Sequence, residues 1–350
     1  MSTPGKLSIR EITDLESLRL LAPEWSELCH RCQNAMPFQR PEWLLPWVEV
    51  FQPRQIWVLE ARRDKQLAGL APLFVNHWAP EPVLAILGAY TSDYLDWLVE
   101  PDFAPQTLAS LLEYINDDAL AVRGLDLTNL PRGSWLLRPE FWKRWQFEAT
   151  ADDACPILWL PKTIEELRTV IPRGQLRNLR TAQRRAERVG EVRIEIATRE
   201  TLDELLEALL RLHQARWTEL RMPGLLADYD VQQFHRCASR ALLDCGVLRL
   251  YGLRVAGVLI AALYTLTERD VVFCYLQGFD PDYAALSPGV QIVGAVIEDA
   301  VQKGKHAVDF LRGREAYKYS WGAQDEPTFR LQVRQRRPRA SMLVDQQNAA

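Results

Sequence analysis

A chain of 350 residues is long enough for two domains of ordinary size. A hydrophobic share of 48% and a charged share of 25% exclude a disordered or fibrous chain and describe a globular one. The formal charge of −4 argues against bulk electrostatic binding of nucleic acid and leaves a local basic patch open.

In chain order, a short polar strand leads into an amphipathic helix over Glu16–Cys32 and an aromatic helix over Trp43–Phe51. Ile56–Ala61 and Leu67–Val75 read as two strands around a polar turn, and a further strand ends near Gly88-Ala89-Tyr90. A helix near Pro105–Asn116 and a strand over Gly124–Leu130 complete the first half. The longest apolar stretch, Val255–Leu266, is too short to span a bilayer, and the N-terminus lacks the apolar core of a secretory signal. The six Cys are scattered among apolar segments, as expected of reduced thiols in a cytoplasmic protein. Cys29 and Cys32 have no second pair, so no metal site is expected.

Between the halves, Cys155–Pro161 reads as a strand bounded by prolines. In the helix that follows, Arg173, Arg177, Arg180, Arg184 and Arg188 line one face and Leu176, Leu179, Ala182, Ala186 and Val189 the other. That stripe has three readings: a solvated face, a site for an anionic acceptor, or a contact with tRNA or acidic lipid. The second half then repeats the order of the first. Val247–Leu253 and Gly257–Leu266 form a strand pair, and Val271–Phe279 is a strand ending in Gly278-Phe279-Asp280. Ser287–Lys303 is a helix and His306–Leu311 a strand. An internal duplication into two α/β modules follows from this pattern, over 1–150 and 151–335, the first degenerate. Residues after Leu331 lack periodicity, and 336–350 read as a frayed tail.

Two stretches carry chemistry. Ser287 stands at the N-cap of its helix, Pro288 at the first helical position, and the amides of Gly289 and Val290 are expected to be unpaired there. A helix start with free N–H groups attracts phosphate, although Ser-Pro-Gly is also an ordinary way to begin a helix. After the last strand, Arg312-Gly313-Arg314-Glu315-Ala316-Tyr317-Lys318 brings acid, base and phenol groups into one turn; a salt-bridged surface turn is the plainer alternative. His213 and Arg216 are three apart on one helix face beside Trp217, an acceptor wall or a packed helix.

These residues resemble, over about 7–330, the GNAT-superfamily acetyltransferase domain of CelD-like cellulose-biosynthesis proteins, which is related to Fem-type peptidoglycan aminoacyltransferases. The resemblance rests on Phe38-Gln39-Arg40-Pro41-Glu42-Trp43, the Arg-striped helix, Leu212–Trp217, Phe234-His235-Arg236, Gly278–Pro281 with Ser287-Pro288-Gly289, and Asp309–Gly313 with Glu315 and Tyr317-Lys318. It implies two GNAT-like modules, each a mixed, mostly antiparallel sheet flanked by helices. It also implies acetyl-CoA as donor and direct transfer to an amine or hydroxyl of a sugar or polysaccharide-precursor-like acceptor. In place of the familiar Gly-rich pyrophosphate loop this chain has Ser287-Pro288-Gly289. A Fem-type enzyme using aminoacyl-tRNA and a non-catalytic scaffold stay open as alternatives.

Direct transfer requires donors for the diphosphate, an N–H for the oxyanion, a base and an acid. Ser287, Gly289 and Val290 are assigned to the diphosphate, and the strand carrying Tyr275 and Gly278 to the thioester. Glu315 and Asp309 are the expected bases and Tyr317 the expected acid. Arg312, Lys318, Arg177, Arg180, His213, Arg216 and Trp217 are assigned to the acceptor. Cys274 lies within an apolar strand and reads as inert.

Overall fold

The computed structural model describes residues 7–117, 122, 124–219 and 224–335; the expected tail 336–350 lies outside them. The first half runs β1 (Leu7–Ile12), α1 (Leu15–Arg31), α2 (Pro41–Phe51), β2 (Ile56–Arg63), β3 (Gln66–Asn76), β4 (Val83–Ile86), β5 (Leu98–Val99), α3 (Ala104–Asp117) and β6 (Gly124–Pro131). There follow β7 (Trp145–Trp159), α4 (Leu167–Val170), α5 (Arg173–Val189), β8 (Val192–Ile196), α6 (Leu202–Glu219) and α7 (Tyr229–Asp244). The chain closes with β9 (Leu248–Val255), β10 (Val258–Glu268), β11 (Val271–Phe279), α8 (Pro288–Gln302), β12 (Ala307–Asp309), α9 (Ala316–Ser320) and β13 (Gln324–Gln335).

All strands join one mixed sheet in the order β1-β2-β3-β4-β6-β13-β7-β12-β11-β10-β9-β8, with β5 beside β3. Each end is built alike: three antiparallel pairs, then a parallel step, β4 to β6 on one side and β11 to β12 on the other. At the centre the last strands are exchanged. β7, which follows β6 in sequence, pairs with β12, whereas β13 at the end of the chain returns to pair with β6. β7 and β13 also pair with each other from Trp145 to Ile157, so position 150 falls inside β7. Residues 332–335 are strand, not frayed chain, because β7 and β6 satisfy both edges of β13. This is a mixed α/β fold with a large mixed sheet flanked by helices.

Strand alternation divides the core between the two faces of this sheet. On one face Tyr251, Leu253, Val272, Cys274 and Val308 pack under α8 and α5, joined by Leu179, Ile292 and Val296. On the other, α1, α2, α6 and α7 cover Leu250, Tyr264 and Phe273 and run continuously into the first half. Gly278 allows α6 to lie directly on β11: a Cβ there would stand 2.4 Å from the backbone N of His213. No helix among the described residues is long and apolar enough to cross a membrane.

Candidate functional site

β11 and β12 pair only over Val271–Phe273 with Ala307–Asp309 and then part, while β11 continues to Phe279. A bulge opposite Tyr264 and Thr265 leaves Tyr275 as the extra residue on β11. Beyond it, Asp280 N–H donates to Ile260 O at 2.8 Å. Antiparallel alternation therefore turns Gly278 toward β10, and the N–H and C=O of Gln277 toward the side that β12 has left.

A cleft of about 510 Å³ opens there. Gln277 and Phe279 form its floor, Ser287–Val290 at the start of α8 one wall, Gln175 and Asn178 of α5 another, and Tyr317 with Trp321 its far end. The start of α8 is tighter than its sequence predicts. Ser287 adopts a left-handed backbone (φ 50°, ψ 56°), and its side chain makes no capping bond. Its N–H donates to Ala284 O at 2.9 Å, and its carbonyl accepts from Val290 N at 3.1 Å and Gln291 N at 3.3 Å. The Ser287 and Val290 amides are thus engaged within the chain, which corrects their expected availability. The Gly289 amide is the one at this turn without a partner among the described residues. It stands beside Gln277, whose Nε2 would lie 2.7 Å from a Cβ at Gly289.

The polar turn after β12 is divided by the sheet. Tyr317 is half-buried in the cleft, its ring edge-on to Phe310. Asp309 points the opposite way, since Val308 and Phe310 take the α8 face. It borders a second cavity of about 330 Å³ with Met36, Tyr94, Trp159 and Phe273, between the halves. Asp309 is therefore not beside Tyr317, contrary to expectation. It accepts from Tyr94 OH at 2.7 Å and from Leu311 N at 2.7 Å, and burial pushes its carboxyl up to about 7 against those two bonds. Tyr275 also lies on that face, in an aromatic cluster with Trp43, His235 and Tyr264, with its hydroxyl donating to Thr91 O at 2.5 Å. Burial depresses His235 to about 3, with the neighbouring His213 a smaller cause.

Lys318 is buried, and its ammonium donates to the carbonyls of Leu311 at 3.0 Å, Arg312 at 2.7 Å and Gly313 at 3.1 Å, and pairs with Glu315 at 2.9 Å. Its three N–H donors are spent on folding the turn, which corrects its assignment to the acceptor. Glu315 stands at the N-cap position of α9 without a side-chain capping bond, exposed and outside the cleft lining. Arg312 reaches across to the first half, its Nε 2.7 Å from Asp93 Oδ1. His213 is buried behind Gly278. Arg216 and Trp217 belong to α6, and their side chains lie outside the described residues. Arg177 and Arg180 project away from the buried face of α5 and do not line the cleft. No group of three or more His, Cys, Asp or Glu among the described residues could hold a metal ion.

Sequence reasoning missed Gln175, Asn178 and Gln277. The signal for the first two was present, as polar groups on or beside the packed face of an amphipathic helix. It also missed Thr91, Asp93 and Tyr94, a first-half loop that meets the ends of β11 and β12; nothing in the local sequence marks that meeting.

Residues 173–319 match the acetyltransferase (GNAT) domain family. No curated protein matches the chain. Among solved structures it is similar to FemX, with a TM-score of 0.68 at 12% identity over 93% of this chain and 96% of that one. It is also similar to the C-terminal domain of a putative lysylphosphatidylglycerol synthetase from Agrobacterium fabrum, with a TM-score of 0.59 at 11% identity over 90% and 92%. A third similar structure is L-PGS from Bacillus licheniformis, with a TM-score of 0.53 at 12% identity over 77% and 82%. The chain thus has the GNAT acyltransferase fold, and its residues 173–319 match the acetyltransferase (GNAT) domain.

Proposed function

We propose that the chain is an acyltransferase of the CelD-like kind. It passes an acyl group from acyl-CoA, with acetyl-CoA the expected donor, to an amine or hydroxyl of a sugar or polysaccharide-precursor-like acceptor. One observation carries this: the cleft at the parting of β11 and β12 runs from the Gly289 amide to the Tyr317 hydroxyl. A donor diphosphate seats at the positive end of α8, on Gly289 N–H and the Ser287 hydroxyl. The thioester lies along β11, where Gln277 N–H faces the carbonyl oxygen as it becomes an oxyanion. The acceptor attacks the carbonyl carbon, the tetrahedral adduct collapses, and the departing thiolate takes a proton from Tyr317. Glu315, at the outer edge of the same turn, takes the acceptor's proton. The halves 1–150 and 151–335 are read as two modules, the first degenerate and catalysis confined to the second.

A second reading is aminoacyl transfer from tRNA, which the similarity to FemX favours; a third is a non-catalytic scaffold. Calorimetric titration with acetyl-CoA and CoA separates them. Micromolar binding is expected, and it should disappear in Gly289→Asp, which places a carboxylate in the anion seat. Absence of binding to either ligand by the folded protein excludes the CoA reading and leaves the other two. Tyr317→Phe is expected to bind acetyl-CoA normally and to release CoA, in a screen of acceptors, about 100-fold more slowly. An unchanged rate removes Tyr317 as the acid.

A further inference from the structure

We infer that the outer face of α5 docks on an anionic lipid surface. Taking Gln175, Leu179, Ala182 and Ala186 as the buried stripe, Arg173, Arg177, Arg180, Arg184 and Arg188 lie on the opposite side of the helix. The stripe is about 22 Å long at the helical rise. All five are exposed, and none makes an ion pair among the described residues. Elsewhere in the molecule Arg62, Arg236, Arg240, Arg254 and Arg330 each hold a carboxylate. The one acid on α5 is Glu187, at the margin of the stripe, so the helix keeps a strong positive excess in a chain of charge −4. Glu191 follows just after the helix and is also exposed.

A second observation selects the partner. At the C-terminal end of α5 the chain turns at Gly190 against Ala256, in the turn between β9 and β10. Val189, Val258 and Ile194 are gathered about this corner and the neighbouring edge strand, 54%, 45% and 39% exposed. These exposed aliphatic side chains lie past the C-terminal end of the cationic stripe, Val189 on the other face of α5 from the arginines, and have somewhere to go in the headgroup and acyl boundary of a bilayer that meets that end. A nucleic-acid duplex offers them no apolar seat, and α5 presents no aromatic ring to stack on a base. The stripe also turns away from the donor cleft, so this surface does not depend on the acyl-transfer reading.

The test is sedimentation of the full chain with vesicles of phosphatidylcholine alone or with about one-third phosphatidylglycerol, at low and high salt. Binding is expected to the anionic vesicles only, and to weaken with salt. Each basic residue near such a surface adds about five-fold, so Arg173→Ser, Arg184→Ser and Arg188→Ser together should weaken binding on the order of 100-fold with the circular dichroism unchanged. Val189→Ser should weaken it further at high salt, where the charge contribution is screened. The inference is overturned if the chain ignores anionic vesicles or the triple variant binds them as the parent does. Binding of an RNA duplex of about 20 base pairs more tightly than the vesicles at equal salt also overturns it.

Discussion

Glu268→Ala is expected to destabilise the protein by about 3–5 kcal/mol, read as a lower urea midpoint at unchanged slope. Glu268 at the end of β10 holds Arg40 at the start of α2, with Nε to Oε2 at 2.5 Å and Nη2 to Oε1 at 3.0 Å. Both side chains are 6% exposed, so the pair spans the two halves out of water. Removing the acid leaves a guanidinium buried, with Glu42 at 3.9 Å as a distant substitute. Glu268→Gln retains the packing and one acceptor, and should cost less than Ala. If both variants unfold within about 1 kcal/mol of the parent, solvent reaches the pair and this account of the seam is wrong.

The second expected result concerns pH. Burial pushes Asp309 up to about 7, with Asp93 nearby raising it further and the bonds from Tyr94 and Leu311 opposing. Asp96 is likewise pushed up to about 7 by burial, against bonds from Ser134 and the Trp97 amide. A carboxyl whose folded value lies above its unfolded value binds its proton more tightly in the native state. Its stabilisation is complete below about pH 4 and is lost as pH rises through 7. Asp309→Asn removes one such group. The stability difference between parent and variant should therefore shift by up to about 4 kcal/mol between pH 4 and pH 8, with the parent losing ground as pH rises. A difference independent of pH would mean that Asp309 is ionised and compensated throughout, by Lys318 across the loop.

Much of the site is local and was therefore legible. Ser287-Pro288-Gly289 does begin a helix, and that helix does follow a strand ending in Gly278-Phe279. The error at Ser287 and Val290 was one of hydrogen bonding. A left-handed Ser287 turns its own carbonyl onto Val290 N–H, and that backbone state is not written in a Ser-Pro step. The separation of Asp309 from Tyr317 was legible in principle. Val308 within β12 and Phe310 just past its end flank the acid, and a period of two sends it to the other face. Lys318 read as an acceptor ligand because composition shows a charge but not the three carbonyls already around it.

The sequence by itself determined the repeated order of strands, the helices between them and the place where α8 begins, because periodicity and the Ser-Pro-Gly start act over a few residues. Only the tertiary structure decided that β13 is a strand. Gln324–Gln335 is largely polar, and its ladder partners, β6 and β7, lie nearly two hundred residues away. It alone also decided that loop 91–94 of the first half seals the ends of β11 and β12, and that the cationic face of α5 points away from the cleft. Both are matters of which surfaces meet, and a buried sheet chooses its neighbours by packing across the whole chain.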